Sequence, residues 1–416
     1  MTKSELTQQN NDMLIAGHQV DEAMFAYIAT HADADTFKLL LKAEPGLSFD
    51  KSFAVLQIEC RQRAKNKIPE LLLHEKFLFP KAISAEQCTH ETVARFHASL
   101  FGLNDRMLDM TMGLGVDDYY ISQRVLSLTA VELDKEIAEV GEYNFAFLAP
   151  NVEVVHADSV EYLKELGDKR FDAIFIDPAR RGEGGKRLYG LADCQPDVLS
   201  LLPLIRQHCS RLFIKSSPML DVTQSMRELG DHLTDVWAVS VKNECKELLF
   251  KLDFEDVPST VTLHAMNYTG NEWQRFESDS RCQNPQGEPC PCLENAIYLY
   301  EPNASIMKLG CYGAVEQAFG AQQLAPNSHL MVSDRLIDDF PGRHFKIIEV
   351  IPFKDKEIRS LSKRYPQLNV ATRNFRISAE ALKKRLRVKD GGETYLFGTT
   401  LAGGEQVLIL CERTTN

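Results

Sequence analysis

The segment Leu108-Asp109-Met110-Thr111-Met112-Gly113-Leu114-Gly115-Val116-Asp117 is an apolar run that reaches a carboxylate and continues into a turn with two glycines. Three further apolar runs also end in acids, each about a strand plus a helix after the last; they are Val131-Glu132, Val155-His156-Ala157-Asp158 and Phe175-Ile176-Asp177-Pro178. This spacing is typical of a doubly wound parallel sheet, an α/β fold in which ligands bind at the carboxyl ends of the strands.

The same alternation continues to about residue 255. Helices are predicted at 135–147, 159–166 and 196–209, a fifth strand at 211–215, and a closing antiparallel pair at 236–241 and 248–252. Ahead of the sheet, apolar residues three and four positions apart predict a mostly helical region.

The composition, with 44% hydrophobic and 25% charged residues, indicates a soluble globular protein. Its 416 residues are more than a single hydrophobic core usually holds, so more than one domain is expected. Without an apolar run of 18 residues or a leader-like start, we expect a cytoplasmic protein that does not cross a membrane. The ten cysteines are dispersed and are expected to be reduced. A zinc site could be assembled from Cys282, Cys290, Cys292 and Cys311, but their spacing favours ordinary thiols and no metal.

Charge is unevenly distributed along the chain. The net charge is −12, yet residues 343–389 contain 14 lysines and arginines against 4 acids, which leaves −22 for the remainder. A basic module on an acidic body is therefore predicted, and local charge is a better guide to partners than the total.

The glycine turn and its acids favour a cationic nucleoside cofactor. Gly113 and Gly115 would let a ligand approach the backbone, but a dinucleotide fingerprint needs a third glycine where Asp118 stands. Carboxylates there disfavour a phosphate at the start of the helix. S-adenosylmethionine carries a sulfonium and an ammonium group and no phosphate, and it suits these acids.

Each strand-end acid has a possible role toward that cofactor. Asp109 could accept a hydrogen bond from the ammonium group, and Asp117 could add to the same field. Glu132 could accept from both ribose hydroxyls and Asp158 from the adenine amine. Any one of these acids could instead be a solvated residue at a strand end.

A helix start is predicted at Ser84, because Gln87 follows three residues later as in a capping box. Such a helix would bring Gln87 and Thr89 close to the cofactor. Alternatively, Gln87 only completes the cap.

These motifs resemble class I S-adenosylmethionine-dependent methyltransferases over roughly residues 84–255, and the whole chain resembles a bacterial methyltransferase family with a C-terminal THUMP-like domain. The second resemblance depends on the segment 301–308, Glu-Pro-Asn-Ala-Ser-Ile-Met-Lys, and on the basic tail. The family implies a Rossmann-like seven-stranded sheet with its last strand antiparallel. The expected domains are a helical region at 1–83, the methyltransferase domain at 84–255, a linker or excursion at 256–294, and an α+β THUMP-like, RNA-binding domain at 295–416.

The resemblance also implies the acceptor site. In amino-methylating relatives an Asp or Asn before Pro-Pro and an aromatic residue orients the amine, and Asp177 and Pro178 match its start whereas Ala179 and Arg180 depart from it. Arg180 and Arg181 could bind phosphate or pair with a nearby carboxylate, and Lys215 could add charge to the substrate site. Methylation of a pyrimidine carbon needs a thiolate, and the nearest downstream cysteine is Cys194, so a nitrogen acceptor is favoured.

The basic module mixes cations with aromatic residues, a composition suited to RNA. Ser378 is predicted to cap a helix with Leu382 and Leu386 inside, and Lys383, Lys384 and Arg385 are predicted to contact RNA. A solvated charged surface is the alternative. We therefore expect an S-adenosylmethionine-dependent N-methyltransferase acting on RNA; a methyltransferase for proteins or small molecules and a catalytically silent RNA-binding protein are the rival hypotheses.

Overall fold

The computed structural model of the protein describes residues 13–180, 190–282, 293, 295–325 and 327–414. These residues form two compact units. The first runs to Ser216 and includes Arg227–His232 and Phe250–Val257, and the second comprises Ser217–Met226, Leu233–Leu249 and the chain from Pro258 onward. Within the described ranges, no helix has both the length and the apolar character needed to cross a membrane.

The N-terminal part of the first unit is mainly helical, as predicted. Its elements are β1 (Met13–Ile15), β2 (His18–Val20), α1 (Glu22–Thr30), α2 (Thr36–Leu41), α3 (Lys51–Ala64), α4 (Ala82–Gln87) and α5 (Glu91–Ala98). Asp21, Asp35 and Asp50 cap the first three helices by accepting hydrogen bonds from backbone N–H groups. The inner faces of these helices pack in one core with Val140, which belongs to a later helix beside the sheet.

The predicted helix start at Ser84 is wrong. Helix α4 already begins at Ala82, and the Ser84 N–H donates to the Lys81 carbonyl oxygen at 3.1 Å, so Ser84 lies inside the helix and cannot cap it. A second helix, α5, begins after His90, whose Nδ1 accepts from the Thr92 N–H at 3.2 Å. The break between the two helices buries Thr89, whereas Gln87 stays exposed at the end of α4.

A large sheet follows, built from strands alternating with helices. Its elements are β3 (Arg106–Asp109), α6 (Val116–Ser122), β4 (Ser127–Glu132), α7 (Lys135–Leu148), β5 (Val152–His156), α8 (Ser159–Glu165), β6 (Phe171–Ile176), β7 (Ala179–Arg180), β8 (Cys194–Gln195), α9 (Val198–His208), β9 (Cys209–Ser216), α10 (Val222–Leu229), β10 (Leu233–Val241), β11 (Glu244–Asp253), β12 (Thr262–Tyr268) and β13 (Trp273–Asp279). The short strands β7 and β8 form a two-stranded antiparallel sheet.

The seven strands predicted for the large sheet occur in the order β10-β11-β9-β6-β3-β4-β5. The five strands from β9 to β5 are parallel, so their carboxyl ends share one edge. Strands β10 and β11 are joined by Lys242 and Asn243, both with positive φ, as in a two-residue hairpin turn.

Two further strands extend the sheet to nine. Strand β12 pairs parallel with β10, and β13 pairs antiparallel with β12. Residues 262–279, which lie within the segment 256–294 predicted as a linker or excursion, therefore contain two strands of the sheet. The physical reason is that β10 would otherwise expose a row of unpaired N–H and C=O groups, which β12 satisfies.

The rest of the second unit is a separate sheet with helices. Its elements are β14 (Tyr298–Pro302), α11 (Ala304–Leu309), α12 (Tyr312–Phe319), β15 (Gln322–Gln323), β16 (Met331–Ser333), β17 (Gly342–Pro352), α13 (Asp355–Arg364), β18 (Asn369–Arg373), α14 (Ala379–Leu386), β19 (Thr394–Thr400) and β20 (Gln406–Arg413). The strand order is β15-β16-β14-β17-β20-β19-β18. Ser378 caps α14 as predicted, and Leu382 and Leu386 of that helix are buried in the core of this unit.

Candidate functional site

The carboxyl ends of parallel strands bring three of the predicted acids to one edge of the sheet. Asp109 ends β3 and pairs in register with Phe175 of β6, Glu132 ends β4, and Asp177 follows β6 directly. Thr111 connects two of these acids, because its hydroxyl donates to Asp109 Oδ1 at 3.3 Å and accepts from the Asp177 N–H at 2.7 Å. The strand ends therefore form a connected polar site in the first unit.

The first glycine of the turn lies beside Glu132. The Gly113 N–H donates to Glu132 Oε2 at 2.9 Å, and the Asp134 N–H donates to Oε1 at 2.8 Å. A Cβ at Gly113 would meet nothing nearer than the Thr111 carbonyl oxygen at 3.9 Å. Each carboxylate oxygen keeps a second lone pair, so Glu132 and the open backbone of Gly113 can receive the hydroxyls of a nucleoside.

Gly115 is required for packing rather than for an open approach to the backbone. It has a φ of +76°, and a Cβ there would lie 2.6 Å from Cζ of Phe145. We expect Gly115→Ala to lower the free energy of unfolding by roughly 2 to 5 kcal/mol, because it adds backbone strain and overpacking. Gly113→Ala, with positive φ but open space, is the matched control and should cost roughly 1 to 2 kcal/mol. Equal losses in denaturant titrations of the two variants would contradict this difference.

Two buried carboxyl groups lie behind the turn. Asp109 and Asp118 are 2% and 0% exposed, and the two carboxyl groups lie close enough to act on each other. Asp109 also accepts from the Thr111 N–H at 2.6 Å. Burial is the largest cause that raises the pKa of both groups, and neighbouring carboxylates reinforce it.

Asp117 is turned into the protein. Its Oδ1 lies 2.8 Å from Nδ1 of His97, and its Oδ2 accepts from the Thr89 hydroxyl at 2.6 Å and lies 3.3 Å from Nζ of Lys215. Burial alone would raise the pKa of Asp117, but the electrostatic attraction of Lys215 and His97 and the hydrogen bonds with His97 and Thr89 hold it below its usual range. Both oxygens of Asp117 serve internal partners, and its contribution to the field at the cofactor stays a prediction.

Lys215 connects this internal network to the acceptor motif. Its Nζ lies 2.6 Å from Asp177 Oδ2 and donates to Thr89 Oγ1 at 2.8 Å. The Lys215 side chain is 11% exposed, whereas that of Asp177 is 43% exposed. Lys215 was predicted to add charge to the substrate site, but its ammonium group is neutralised by two aspartates and acts on Asp177.

The remaining predicted residues of the first unit lie further out. Asp158 is exposed and caps α8, with Oδ1 accepting from the Val160 N–H at 2.8 Å. Gln87, predicted to contact the cofactor, lies exposed outside the network that Thr89 joins. The backbone of Arg180 pairs with Cys194, its side chain lies outside the description, and Arg181 lies outside the described residues.

Four cysteines were considered for a metal site. Cys290, Cys292 and the side chain of Cys282 lie outside the described part of the chain, and Cys311 is a buried thiol of the core. In the part of the chain that the structure describes, no group of three or more His, Cys, Asp or Glu side chains is arranged to hold a metal ion.

Two residues that connect the site, Thr111 and His97, were not predicted from the sequence. Thr111 stands inside the motif that predicted the site, and its position two residues after Asp109 is the one available signal for a role at a strand end. His97 carries no such signal, because a histidine on an apolar helix is usually a core residue and its partner Asp117 is distant in sequence.

The predicted RNA contacts in the second unit differ from one another. Lys383 pairs with Asp390 at 2.7 Å and Arg385 with Asp355 at 2.6 Å, while Lys384 is exposed with no carboxylate within ion-pair distance among the described residues. Eight other cations of residues 343–389 are likewise exposed and have no carboxylate within ion-pair distance among the described residues. They are Lys346, Lys354, Lys356, Arg359, Lys363, Arg376, Arg387 and Lys389.

The aromatic residues of the basic module are less available for base stacking than the sequence suggested. Phe345 is completely buried, and Tyr365 and Phe375 pack against the core. Arg376 and Arg385 lie 4.7 and 4.9 Å from the ring centre of Phe353. Charge, rather than stacking, is the main property that this surface offers a nucleic acid.

Comparison with known families identifies two domains in the second unit. Residues 342–413 match a THUMP domain-like family, and residues 298–341 match a ferredoxin-like domain family. The segment 301–308, which supported the THUMP-like resemblance, therefore belongs to the ferredoxin-like match, whereas the basic module lies in the THUMP-like match.

Comparison with individual proteins covers nearly the whole chain. The crystal structure of a candidate methyltransferase from Porphyromonas gingivalis W83 is 29% identical, with a TM-score of 0.85, over 94% of this chain and 98% of that one. An uncharacterized S-adenosylmethionine-dependent methyltransferase of Mycobacterium tuberculosis is 24% identical over 83% of this chain and 91% of its own length. An uncharacterized RNA methyltransferase of Mycoplasma mobile is 34% identical over 86 residues, which are 20% of this chain and 23% of its own. The predicted fold class and the predicted resemblance are confirmed.

Proposed function

We propose that this chain, which is an S-adenosylmethionine-dependent methyltransferase, transfers the methyl group to a base nitrogen of RNA. The observation that carries the proposal is the placement of Asp177. It lies at the strand-end site, fixed through its backbone by Thr111 and through its carboxylate by Lys215, with 43% of its side chain exposed.

The site fits the cofactor. The buried carboxyl group of Asp109 has no ion-pair partner among the described residues and can receive an ammonium group. Glu132 and the open Gly113 backbone can receive the ribose, and Asp158 retains its second oxygen for an adenine amine. When bound, S-adenosylmethionine supplies an electrophilic methyl group on a sulfonium.

The protein would then contribute mainly by orienting the acceptor toward the methyl group, and less by acid or base catalysis. Transfer to nitrogen needs the acceptor lone pair in line with the methyl group, and holding the two in that geometry can supply several kcal/mol of the barrier. Asp177 would accept a hydrogen bond from the acceptor N–H and turn the lone pair toward the cofactor. Buried Pro178 fixes the backbone that follows Asp177.

A carbon acceptor is disfavoured by the available thiols. Cys194 pairs with Arg180 across the β7–β8 ribbon, but it is 4% exposed and its sulfur lies 3.9 Å from the Gly190 carbonyl oxygen. Burial also raises the pKa of Cys88, whose surroundings include Asp117 and Lys215. Attack on a pyrimidine ring needs an accessible thiolate, which neither residue provides.

Nine exposed cations without ion-pair partners among the described residues support RNA as the substrate. Three of them, Lys356, Arg359 and Lys363, follow one another at helical spacing on α13. Their opposite side carries Ile358 and Leu361, which are buried. Binding to such a face would release the counterions that are condensed on an RNA phosphate backbone, and the RNA methyltransferase of Mycoplasma mobile adds support from a partial relative.

The test is filter binding of cellular RNA across a salt series. Replacing Lys356, Arg359 and Lys363 by glutamine should flatten the slope of log affinity against log salt by about two to three, since each phosphate contact contributes about 0.7 to 0.9. Arg364→Gln is the matched control, because Arg364 is already paired with Glu349 at 2.8 Å and should change the slope little. An unchanged slope in the triple variant would favour a protein or small-molecule acceptor.

A further inference from the structure

Asp118 is a completely buried acid whose oxygens lack ordinary partners. Neither oxygen of the Asp118 carboxyl group has a hydrogen-bond partner among the described residues, and the groups that act on it include the neighbouring carboxyl group of Asp109 and the Asp118 backbone N–H. Its Oδ2 lies 3.8 Å from the position that a Cβ on Gly115 would occupy, so Asp118 lies against the glycine turn. A buried carboxylate without a donor is costly, and two carboxyl groups can share a hydrogen bond only if one of them is protonated.

The charged groups around this pair do not compensate it. Asp117 on α6 and Asp177 after β6 are further acids near the pair. The nearby basic side chains, Lys215 of β9 and His97 of α5, both contact Asp117, and Lys215 also contacts Asp177. The strand-end site therefore holds more carboxyl groups than cations, and a proton between Asp109 and Asp118 reduces the excess.

We propose that Asp118 is a positioning residue that shares one proton with Asp109 and gives it up to solvent when the ammonium group of the cofactor binds at Asp109. The proposal rests on Asp109 as a cofactor ligand and is independent of RNA as the methyl acceptor. Before binding, one carboxylic acid donates to one carboxylate. After binding, the ammonium donates to carboxylate, and up to one proton has moved to the buffer.

Proton release can be measured without any methyl transfer. Calorimetric titration of the full chain with S-adenosylmethionine in phosphate and in Tris, at the same pH, separates the heat of buffer protonation from the heat of binding. We expect about half a proton or more to be released near pH 7, and the affinity to increase with pH. 5′-Methylthioadenosine lacks the amino acid part of the cofactor, so it should bind with no proton released.

The Asp118→Asn variant sharpens the test, because an amide can still donate to Asp109 but has no proton to lose. It should bind S-adenosylmethionine with no proton release and with an affinity that is flat between pH 6 and 8, at least equal to wild type at pH 6. Absence of binding, equal proton release in the variant, or equal release with 5′-methylthioadenosine would overturn the proposal. Proton release together with unmethylated RNA would leave it standing and reject the proposed acceptor.

Stability without cofactor provides a second readout. Burial raises the pKa of Asp118, so wild type loses stability as pH rises from the unfolded pKa near 4 through the folded one. The Asp118→Asn variant has no carboxyl group to ionise there and escapes this loss. At pH 8 its melting temperature should therefore be roughly 2 to 4 °C above that of wild type. Asp117→Asn is the matched control at the adjacent position and should melt lower, because the lowered pKa of Asp117 reflects partners that it would lose. A lower melting temperature for both variants would contradict the shared proton.

Discussion

Replacing Lys215 with methionine should lower the free energy of unfolding by about 3 to 5 kcal/mol, the usual cost of removing one partner of a buried ion pair. The side chains of Lys215 and Asp117 are 11% and 12% exposed, so the remaining carboxylate would have little access to water. Asp177 would lose its partner at 2.6 Å as well. Denaturant titration monitored by circular dichroism measures the loss.

Two controls separate the ion pair from general damage in the Lys215→Met variant. Lys164→Met breaks an exposed pair with Glu161 and should cost no more than about 0.5 kcal/mol. Adding Asp117→Asn to Lys215→Met removes the stranded charge and should recover part of the stability, which a double-mutant cycle would show as coupling. Additive losses in the double variant would contradict a pairing of Lys215 with Asp117.

Asp177→Ala should reduce methyl transfer by about 100-fold or more while leaving cofactor affinity within a few fold of wild type. The expected loss follows from orientation, since an acceptor held without Asp177 would seldom present its lone pair in line with the methyl group. Asp177→Asn keeps a side-chain acceptor but loses the charge that pairs with Lys215, and it should retain intermediate activity. The assay is transfer of a labelled methyl group to RNA from cells lacking the protein.

The calorimetric affinity for S-adenosylmethionine is the control for that assay. A parallel loss of affinity and activity in Asp177→Ala would assign Asp177 to cofactor binding, and unchanged activity would remove it from the acceptor site. Lys215→Met is informative here as well, because an effect on transfer at unchanged cofactor affinity would identify Lys215 as a residue that positions Asp177.

The acids at the strand ends were predictable from the sequence. The length of each apolar run and the distance between successive runs indicate where parallel strands end. Apolar runs of strand length ended at Asp109, Glu132 and Asp177, and parallel pairing brings such ends to one edge regardless of the intervening loops. The cap at Ser378 was predictable for the same reason, since a cap is set by its immediate neighbours.

The network behind the acids was not predictable from local pattern. Asp117 and Asp118 are adjacent in sequence, yet one faces Lys215 and His97 and the other faces Asp109. Which way each side chain points depends on the phase of α6 against the sheet and on residues far away in the chain. From the sequence, the side chains of Asp117 and Lys215 were expected to act on bound ligands. In the structure they pair with each other.

The extension of the sheet was missed for a different reason. Strand β12 pairs with β10, whose backbone N–H and C=O groups would otherwise be unpaired at the edge of the sheet. This need for a partner strand is a property of the assembled sheet and is not visible in the sequence of residues 262–268. The interval 256–294 was therefore predicted as a linker or excursion, although residues 262–279 contain two strands of the sheet.

The most direct test of an RNA base nitrogen as the methyl acceptor is mass spectrometry of nucleosides from digested RNA of the producing organism. RNA from a strain lacking the protein should lack, or be depleted in, one base-methylated nucleoside that wild-type protein restores and the Asp177→Ala variant does not. An unchanged set of modified nucleosides, or restoration by Asp177→Ala equal to that by wild type, would contradict it.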